Sequence, residues 1–456
     1  MDKLVLAKDM LKAAEAGPRE DVEAAGWVHR IRDMGGIRFV ILRDRSGLLQ
    51  LVLSQSEGPE ALDAALELTL ESVILVRGFP ALNGKAPGGV ELRLRSLKVL
   101  SRAAGDLPFQ VNGDMDKIGL ETILDRRMLS LRNPKVRSIF KVQAAIIEAF
   151  ADYLRERDFT EIKTSKLTAG STEGGTNLFA VDYFDRKLFL AQSPQLYKEA
   201  LVAAGLERVF EIGPVYRAEK HDTPRHINEY VSLDVEMAFI ESERELIELE
   251  KGLLAAIFEE LARKNGPDLA AWNAALPSPE AVAKAPTLSY DESLKIVNDM
   301  AASEGRGKAA RIFDINPEAE RLLSEWSSRE YGVELLFVNE FPRRYRPFYT
   351  YPLEKAEAVP GGPPVSLTMS FDAIFRGLEV TSGSRRQHDY KAFAEALPKF
   401  GLKPENMGAY LEVLKYGCPP HGGFAIGCER LTQKILGLGS VKEASLFPRD
   451  RKRVEP

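Results

Sequence analysis

Arg217, Lys220, His221, Arg225 and His226 fall within ten positions, and the chain on either side of them turns β-like. The runs Val209–Tyr216 and Glu229–Phe239 read as an antiparallel hairpin with a long cationic tip. Charges recur at spacing two, with Glu211 on the first run and Asp234 and Glu236 on the second, so one face of the pair is polar. Arginine holds a phosphate or carboxylate at two points and stays charged at any working pH. A basic loop beside a polar sheet face therefore suits a ligand that combines a polyphosphate with an amino acid. A solvated hairpin tip fits the same periodicity, and pattern alone does not separate the two.

The elements that must position these residues follow from the rest of the chain. Its 456 residues are 45% hydrophobic and 28% charged, which predicts a globular protein of two or three domains. The net charge of −5 argues against indiscriminate binding of nucleic acid but leaves room for local basic patches. No apolar run reaches the roughly 18 residues of a membrane span, and the N-terminus lacks the apolar core of a signal peptide. Two cysteines, Cys418 and Cys428, are too few for a disulfide framework or a zinc cluster. A reducing, cytoplasmic setting is the expectation.

Residues 1–20 suggest a lead-in helix. Strands are predicted at Val22–Arg32, Ile37–Asp44, Leu48–Leu53, Val73–Phe79 and Val90–Leu100, with a helix at Pro59–Leu70 between the third and fourth. That order is the order of an OB-fold barrel, a common oligonucleotide binder. Gly105, Pro108 and Gly113 mark a hinge over 103–130, which separates a barrel domain of residues 1–102 from a larger domain of 131–456. A long helix starts near Pro134, with Ile139, Val142, Ile146, Phe150 and Leu154 at steps of three and four, and a strand is expected at Thr160–Leu167. Ala169–Phe179 has the small residues of a mobile flap, Gly174 and Gly175 among them. Residues 264–330 read as a helical insertion that carries no chemistry.

The phrase "GPVYRAEKHDTPRHINEYVSLDVEMAF" resembles motif 2 of the class II aminoacyl-tRNA synthetases, in the aspartyl form of archaeal and eukaryotic type. "QSPQLYK" (Gln192–Lys198) resembles the amino-acid pocket of that group, "GCPPHGGFAIGCER" its motif 3 and "LFPRD" its ending. The resemblance covers about residues 15–456 and implies an α+β architecture, an N-terminal OB-fold followed by a class II antiparallel-sheet catalytic domain. Two departures stand out: Ser165 where motif 1 has proline, and Ala425 in place of the middle glycine of motif 3.

The resemblance implies two steps: aspartate attacks the α-phosphate of ATP, and the 3′ end of tRNA then takes the aspartyl group from the adenylate. In that reading Arg217 grips the α-phosphate and the incoming carboxylate. Arg225 and His226 hold the outer phosphates, Glu219 meets the adenine amino group and Tyr230 stacks beneath the ring. Arg430 covers the other face, with Gly427 in the nucleotide site. Glu379 and Ser382 bind magnesium with Asp372 nearby, and oxygen ligands of this kind suit that ion. Glu173 and Gln195 hold the α-ammonium group. Lys198 and Arg386 bind the side-chain carboxylate with Ser382 close by, and reject asparagine because a neutral amide leaves buried charge uncompensated. Asp234 or Glu236 orients Lys198.

"GWVHRIRDMGGIRFVILRDRSGLLQLVL" resembles the anticodon-binding domain of aspartyl- and asparaginyl-tRNA synthetases. Phe39 would stack on a splayed base while Arg32 and Gln50 read its edge. The anticodons of tRNA-Asp and tRNA-Asn differ only at the last base. Strict discrimination in the group goes with a tryptophan at the position of His29 and a lysine in the loop at Ala86–Gly89. His29 and the loop around Pro87 resemble the relaxed type, which charges both tRNAs. A homodimer is implied by the family. The rivals are an asparaginyl enzyme, a discriminating aspartyl enzyme, a paralogue making free asparagine and a non-catalytic OB-fold module.

Overall fold

The computed structural model describes residues 4–16, 20–170, 178–219, 223–303, 315–357, 365–402 and 407–455. The chain divides into two compact units, 1–123 with 128–136, and 124–127 with 137–456.

The first unit holds a closed barrel of β1 (Val22–Met34), β2 (Ile37–Arg43), β3 (Leu48–Ser54), β4 (Val73–Leu82) and β5 (Val90–Ser101) in the order β1-β2-β3-β5-β4. Only β3 and β5 pair in parallel. Inward residues alternate with outward ones, as at Leu49, Leu51 and Leu53 or Val90, Leu92 and Leu94, which are all at most 1% exposed. The helix Pro59–Ala65 lies between β3 and β4 in sequence and turns the small residues Ala61 and Ala65 into the barrel core. The expected OB-fold order is present. The boundary differs from the expected hinge at 103–130. Short helices occur at Met115–Lys117, Leu120–Asp125 and Arg127–Ser130, and Phe109, Val111, Met115 and Val136 form an apolar cluster of their own in the first unit.

The second unit carries, in chain order, β6 (Thr160–Glu161), β7 (Leu167–Thr168), β8 (Ala180–Tyr183), β9 (Arg186–Leu190), β10 (Arg208–Tyr216), β11 (Glu229–Ala238), β12 (Thr287–Ser289), β13 (Leu335–Asn339), β14 (Pro352–Glu357), β15 (Val365–Thr368), β16 (Ser370–Phe375), β17 (Leu378–Arg385) and β18 (His421–Gly427). Eight of them make one sheet, ordered β12-β13-β16-β17-β18-β11-β10-β6. Two expectations change here. The strand expected over Thr160–Leu167 is broken: Thr164 and Lys166 leave the ladder to bind the buried Glu211 carboxylate, at 2.7 and 2.9 Å. The insertion expected to be helical supplies the edge strand β12, paired in parallel with β13.

Helices cover the back of the sheet. Glu243–Lys264 starts at a capping box of Ser242 and Glu245, which satisfies two backbone donors at its first turn. Its residues Leu246, Leu253, Ile257, Phe258 and Leu261 are at most 1% exposed and join Phe210, Leu233, Val235, Phe371 and Phe424 of the strands in one core. The spacing read from sequence on the helix Pro134–Arg155 is likewise buried, from Ile139 to Leu154. Each such side chain contributes about 1.5–3 kcal/mol by leaving water, so the back face holds the sheet and the front face is left for polar groups.

Candidate active site

Lateral pairing lines up the front-face residues. Asp234 pairs with Ala425, Ala425 with Ser382 and Ser382 with Asp372, one row across four strands. The adjacent row runs Glu236, Gly423, Ser384 and Ser370. Glu379 lies three positions from Ser382, which in a regular strand would put it on the opposite face. A bulge at Val380 shifts the register, so Glu379 pairs with Ile374 and regains the face of Ser382 and Asp372.

A cleft of about 290 Å³ opens on this face, and its lining includes Gln195, Arg217, Glu219, Arg225, His226, Tyr230, Glu379, Ser382, Arg386, Gly427 and Arg430. Glu173 lies outside the described residues, as do Lys220 and His221. The hairpin β10–β11 is paired from Arg208 opposite Met237 to Tyr216 opposite Glu229, and it delivers Arg217 and Tyr230 side by side. The Arg217 guanidinium sits 5.8 Å from the Tyr230 ring centre. Glu429 fastens this end of the hairpin by accepting the Val231 amide at 3.0 and 3.1 Å. Burial pushes its carboxyl up to about 8. Arg430, next along, donates to the Glu379 carbonyl at 3.0 Å.

Deeper in, Lys198 is 2% exposed. Its ammonium meets Asp234 at 3.0 Å and Glu236 at 3.3 Å, and donates to the carbonyls of Val235 and Phe424. Arg386 donates twice to Glu236, at 2.9 and 3.1 Å, and also to Ser384 Oγ, Gln195 Oε1 and the Gly423 carbonyl. Burial opposes the guanidinium charge, but the Glu236 carboxylate outweighs it and holds Arg386 more firmly protonated than usual. Both cations therefore already have carboxylate partners, so the buried charge is balanced before any ligand arrives. That differs from the expectation that a neutral asparagine amide would leave buried charge uncompensated. Asp234 Oδ2 is buried without a hydrogen-bond partner among the described residues, an acceptor that the sequence did not reveal.

At the other end Asp372 accepts two bonds from Arg346, at 2.6 and 2.8 Å, and Arg346 also reaches Ser382 Oγ at 3.1 Å. Burial, and then the charge of Asp372, pushes Glu379 up to about 7 against the pull of Arg430. Among the described residues no three His, Cys, Asp or Glu side chains converge as a complete metal nest. Asp372, Glu379 and Ser382 make a partial set of hard oxygen donors, which phosphate oxygens and water can complete around magnesium. Glu320 was missed because it belongs to the segment read as inert. It forms an ion pair with Arg225 and accepts the Glu379 amide at 3.2 Å. His226 bonds Thr223 Oγ1 at 2.6 Å and stands 3.6 Å from Glu219.

In the barrel, Arg32 is exposed and pairs across the strands with Phe39, which is half-buried. Gln50 donates to Glu91 at 3.0 Å, and Pro87 sits in the short turn before β5. His29 needs correction as a direct contact. A bulge between Val28 and Arg30 breaks the alternation of β1, and His29 turns inward to 8% exposure. Its Nδ1 takes a bond from Arg43, whose guanidinium is held by Glu71.

Residues 119–451 match the family described as tRNA synthetases class II (D, K and N), and residues 22–100 match the OB-fold nucleic acid binding domain. The chain is 44% identical over 455 residues to an aspartate–tRNA(Asp/Asn) ligase of Thermus thermophilus, covering 99% of this chain and 100% of that one. It is 39% identical to an aspartate–tRNA(Asp) ligase of Pyrococcus abyssi, covering 95% and 96%. The structure matches that of an asparaginyl-tRNA synthetase of Pyrococcus horikoshii with a TM-score of 0.88 at 28% identity, over 100% of both chains. A basic hairpin beside a bulged acidic strand, an OB barrel in the first unit and these full-length likenesses converge: the chain belongs to the class II tRNA synthetases of the D, K and N group.

Proposed function

We propose that this synthetase activates L-aspartate with ATP and transfers it to tRNA-Asp and tRNA-Asn. The observation that carries the choice of amino acid is the pair formed by Arg386 in the cleft wall and Lys198 beneath it. Each presents only hydrogen-bond donors. Two carboxylate oxygens suit such a pair, whereas an asparagine side chain must turn its NH₂ toward a donor, leaving a buried clash of like groups. Asp234 Oδ2 is the acceptor for the substrate ammonium, with Gln195 assisting, and the family resemblance adds Glu173 to this set.

The chemistry needs no protein nucleophile. Arg217 draws the α-carboxylate and the α-phosphate together, and the negative charge that builds on phosphorus is matched by fixed guanidinium groups. Tyr230 and Arg430 sandwich the adenine over Gly427, with Glu219 at its amino group. Arg225 leaves Glu320 to meet the outer phosphates with His226. Glu379, Ser382 and Asp372 would hold magnesium, which neutralises phosphate charge when bound. Ser382 also borders the aspartate.

Phe39, Arg32 and Gln50 read the anticodon, with Pro87 shaping the neighbouring loop and His29 acting indirectly, through Arg43. Among the relatives, those of Thermus thermophilus and Methanopyrus kandleri are named for both tRNAs and that of Pyrococcus abyssi for one. The absence of tryptophan at 29 supports the relaxed reading. A homodimer in a reducing cytoplasm fits the family and the two free cysteines. No described helix is long and apolar enough to cross a membrane. Aminoacylation of both tRNA transcripts with aspartate tests the proposal. Charging of both is expected, and charging of tRNA-Asp alone would make the enzyme discriminating.

A further inference from the structure

Behind the amino-acid pocket lies a buried cluster that the roles above do not use. Glu199, on the helix Gln195–Leu201, is 1% exposed, Tyr410 7% and His421 0%. Glu199 Oε2 accepts from the Tyr410 hydroxyl and meets His421 Nε2 at 3.1 Å. His421 Nδ1 in turn meets the Pro419 carbonyl at 2.9 Å, with Cys418 Sγ 3.5 Å away. The other oxygen, Glu199 Oε1, accepts from Gln195 Nε2 at 2.7 Å. Three side-chain donors thus converge on one buried carboxylate.

Gln195 is the link to the pocket. Its Nε2 also faces Glu236, at 3.4 Å, and its Oε1 accepts from Arg386 Nη2 at 3.3 Å. Reversing the amide would set its oxygen against two carboxylates and its NH₂ against a guanidinium, three like-with-like contacts in a buried site. We infer that Glu199 is a positioning residue that fixes the Gln195 amide with its carbonyl oxygen toward the substrate's α-ammonium group. Tyr410 and His421 keep Glu199 in place and charged. Burial would raise its carboxyl, but the bond and charge of His421, with Arg386 and Tyr410, hold it below its ordinary range.

The inference rests on the reading of Gln195 as an α-ammonium contact, and the test separates the two. In aspartate-dependent ATP–pyrophosphate exchange, Glu199→Gln replaces an acceptor-only carboxylate with an amide that can also donate, so the orientation of the Gln195 amide is no longer dictated and it can turn. The expected result is an aspartate KM at least tenfold higher with the ATP KM unchanged. Succinate has both carboxylates of aspartate and no ammonium, so its inhibition constant should stay within twofold. Equal weakening of aspartate and succinate, or an unchanged aspartate KM, would overturn the inference. Tyr410→Phe, which keeps the carboxylate and removes one donor, should move aspartate alone by two- to fivefold and carries the test if Glu199→Gln folds poorly; no change there would count against the inference. Gln195→Ala is the control. If it leaves the aspartate KM unchanged, the reading of Gln195 itself fails; if it raises the KM while Glu199→Gln does not, only the role of Glu199 fails.

Discussion

Lys198 and Arg386 share the carboxylate of Glu236 on β11, which ties together the two cations of the proposed aspartate pocket. Gly423 makes that possible. A Cβ at this position would lie 2.0 Å from the Val235 carbonyl and 2.3 Å from Glu236 Oε2. Gly423→Ala should therefore push the Glu236 carboxylate aside and cost about 1–3 kcal/mol through overpacking. The aspartate KM should rise at least tenfold while the fold persists, as exchange kinetics beside a thermal melt would read. A variant with native aspartate affinity would remove Glu236 from its central place. At this scale the sequence was informative where residues sit close together in a motif, as with Gln195 and Lys198. It was silent on Glu199 and Glu320, whose partners Tyr410 and Arg225 lie 211 and 95 positions away and share no local pattern with them.

The elements explain two further points. Hairpin β10–β11 was legible because period-two alternation spans both strands and a basic loop joins them. The grouping of Asp372, Glu379 and Ser382 was not legible from periodicity, since it depends on a bulge at Val380 that no spacing announces. His29 was misjudged for the same reason, a bulge in β1. β18 also brings His421 under the helix that carries Glu199. Burial opposes the imidazolium, yet Cys418 and the Glu199 carboxylate outweigh it and push His421 up to about 10 from 6.5. Because the folded value is the higher one, the protonated ring contributes its full stability below pH 6.5 and loses it as the pH rises toward 10. The charged and titratable groups around it, Glu199, Glu236, Tyr410 and Cys418, leave that direction intact: Glu199 is held low and Tyr410 well above its ordinary value. The melting temperature should fall between pH 7 and 9.5 in the native protein and fall less in His421→Gln. Parallel curves would contradict the assignment.

For the whole molecule, the two units divide the labour of the proposed function, with nucleotide and amino acid on the eight-stranded sheet and the anticodon on the barrel. Base stacking on an aromatic ring is worth about 1–3 kcal/mol. Phe39→Ala should therefore raise the KM for tRNA by roughly 5- to 150-fold and leave ATP–pyrophosphate exchange untouched. A loss of exchange would mean that the ring supports the fold instead. The two-unit architecture was readable because the barrel and the sheet each carry their own periodicity. The boundary was misplaced because Phe109, Val111 and Met115 look like isolated apolar residues in sequence and cluster only in three dimensions. Likeness of fold does not choose the amino acid, since the structure superposes on an asparaginyl enzyme at a TM-score of 0.88. The donor-only pair Lys198 and Arg386 makes that choice in this account. The most direct measurement is ATP–pyrophosphate exchange with aspartate and with asparagine on the same protein. The kcat/KM for aspartate should exceed that for asparagine by at least a hundredfold, about 2.7 kcal/mol. Equal exchange, or a preference for asparagine, would contradict it.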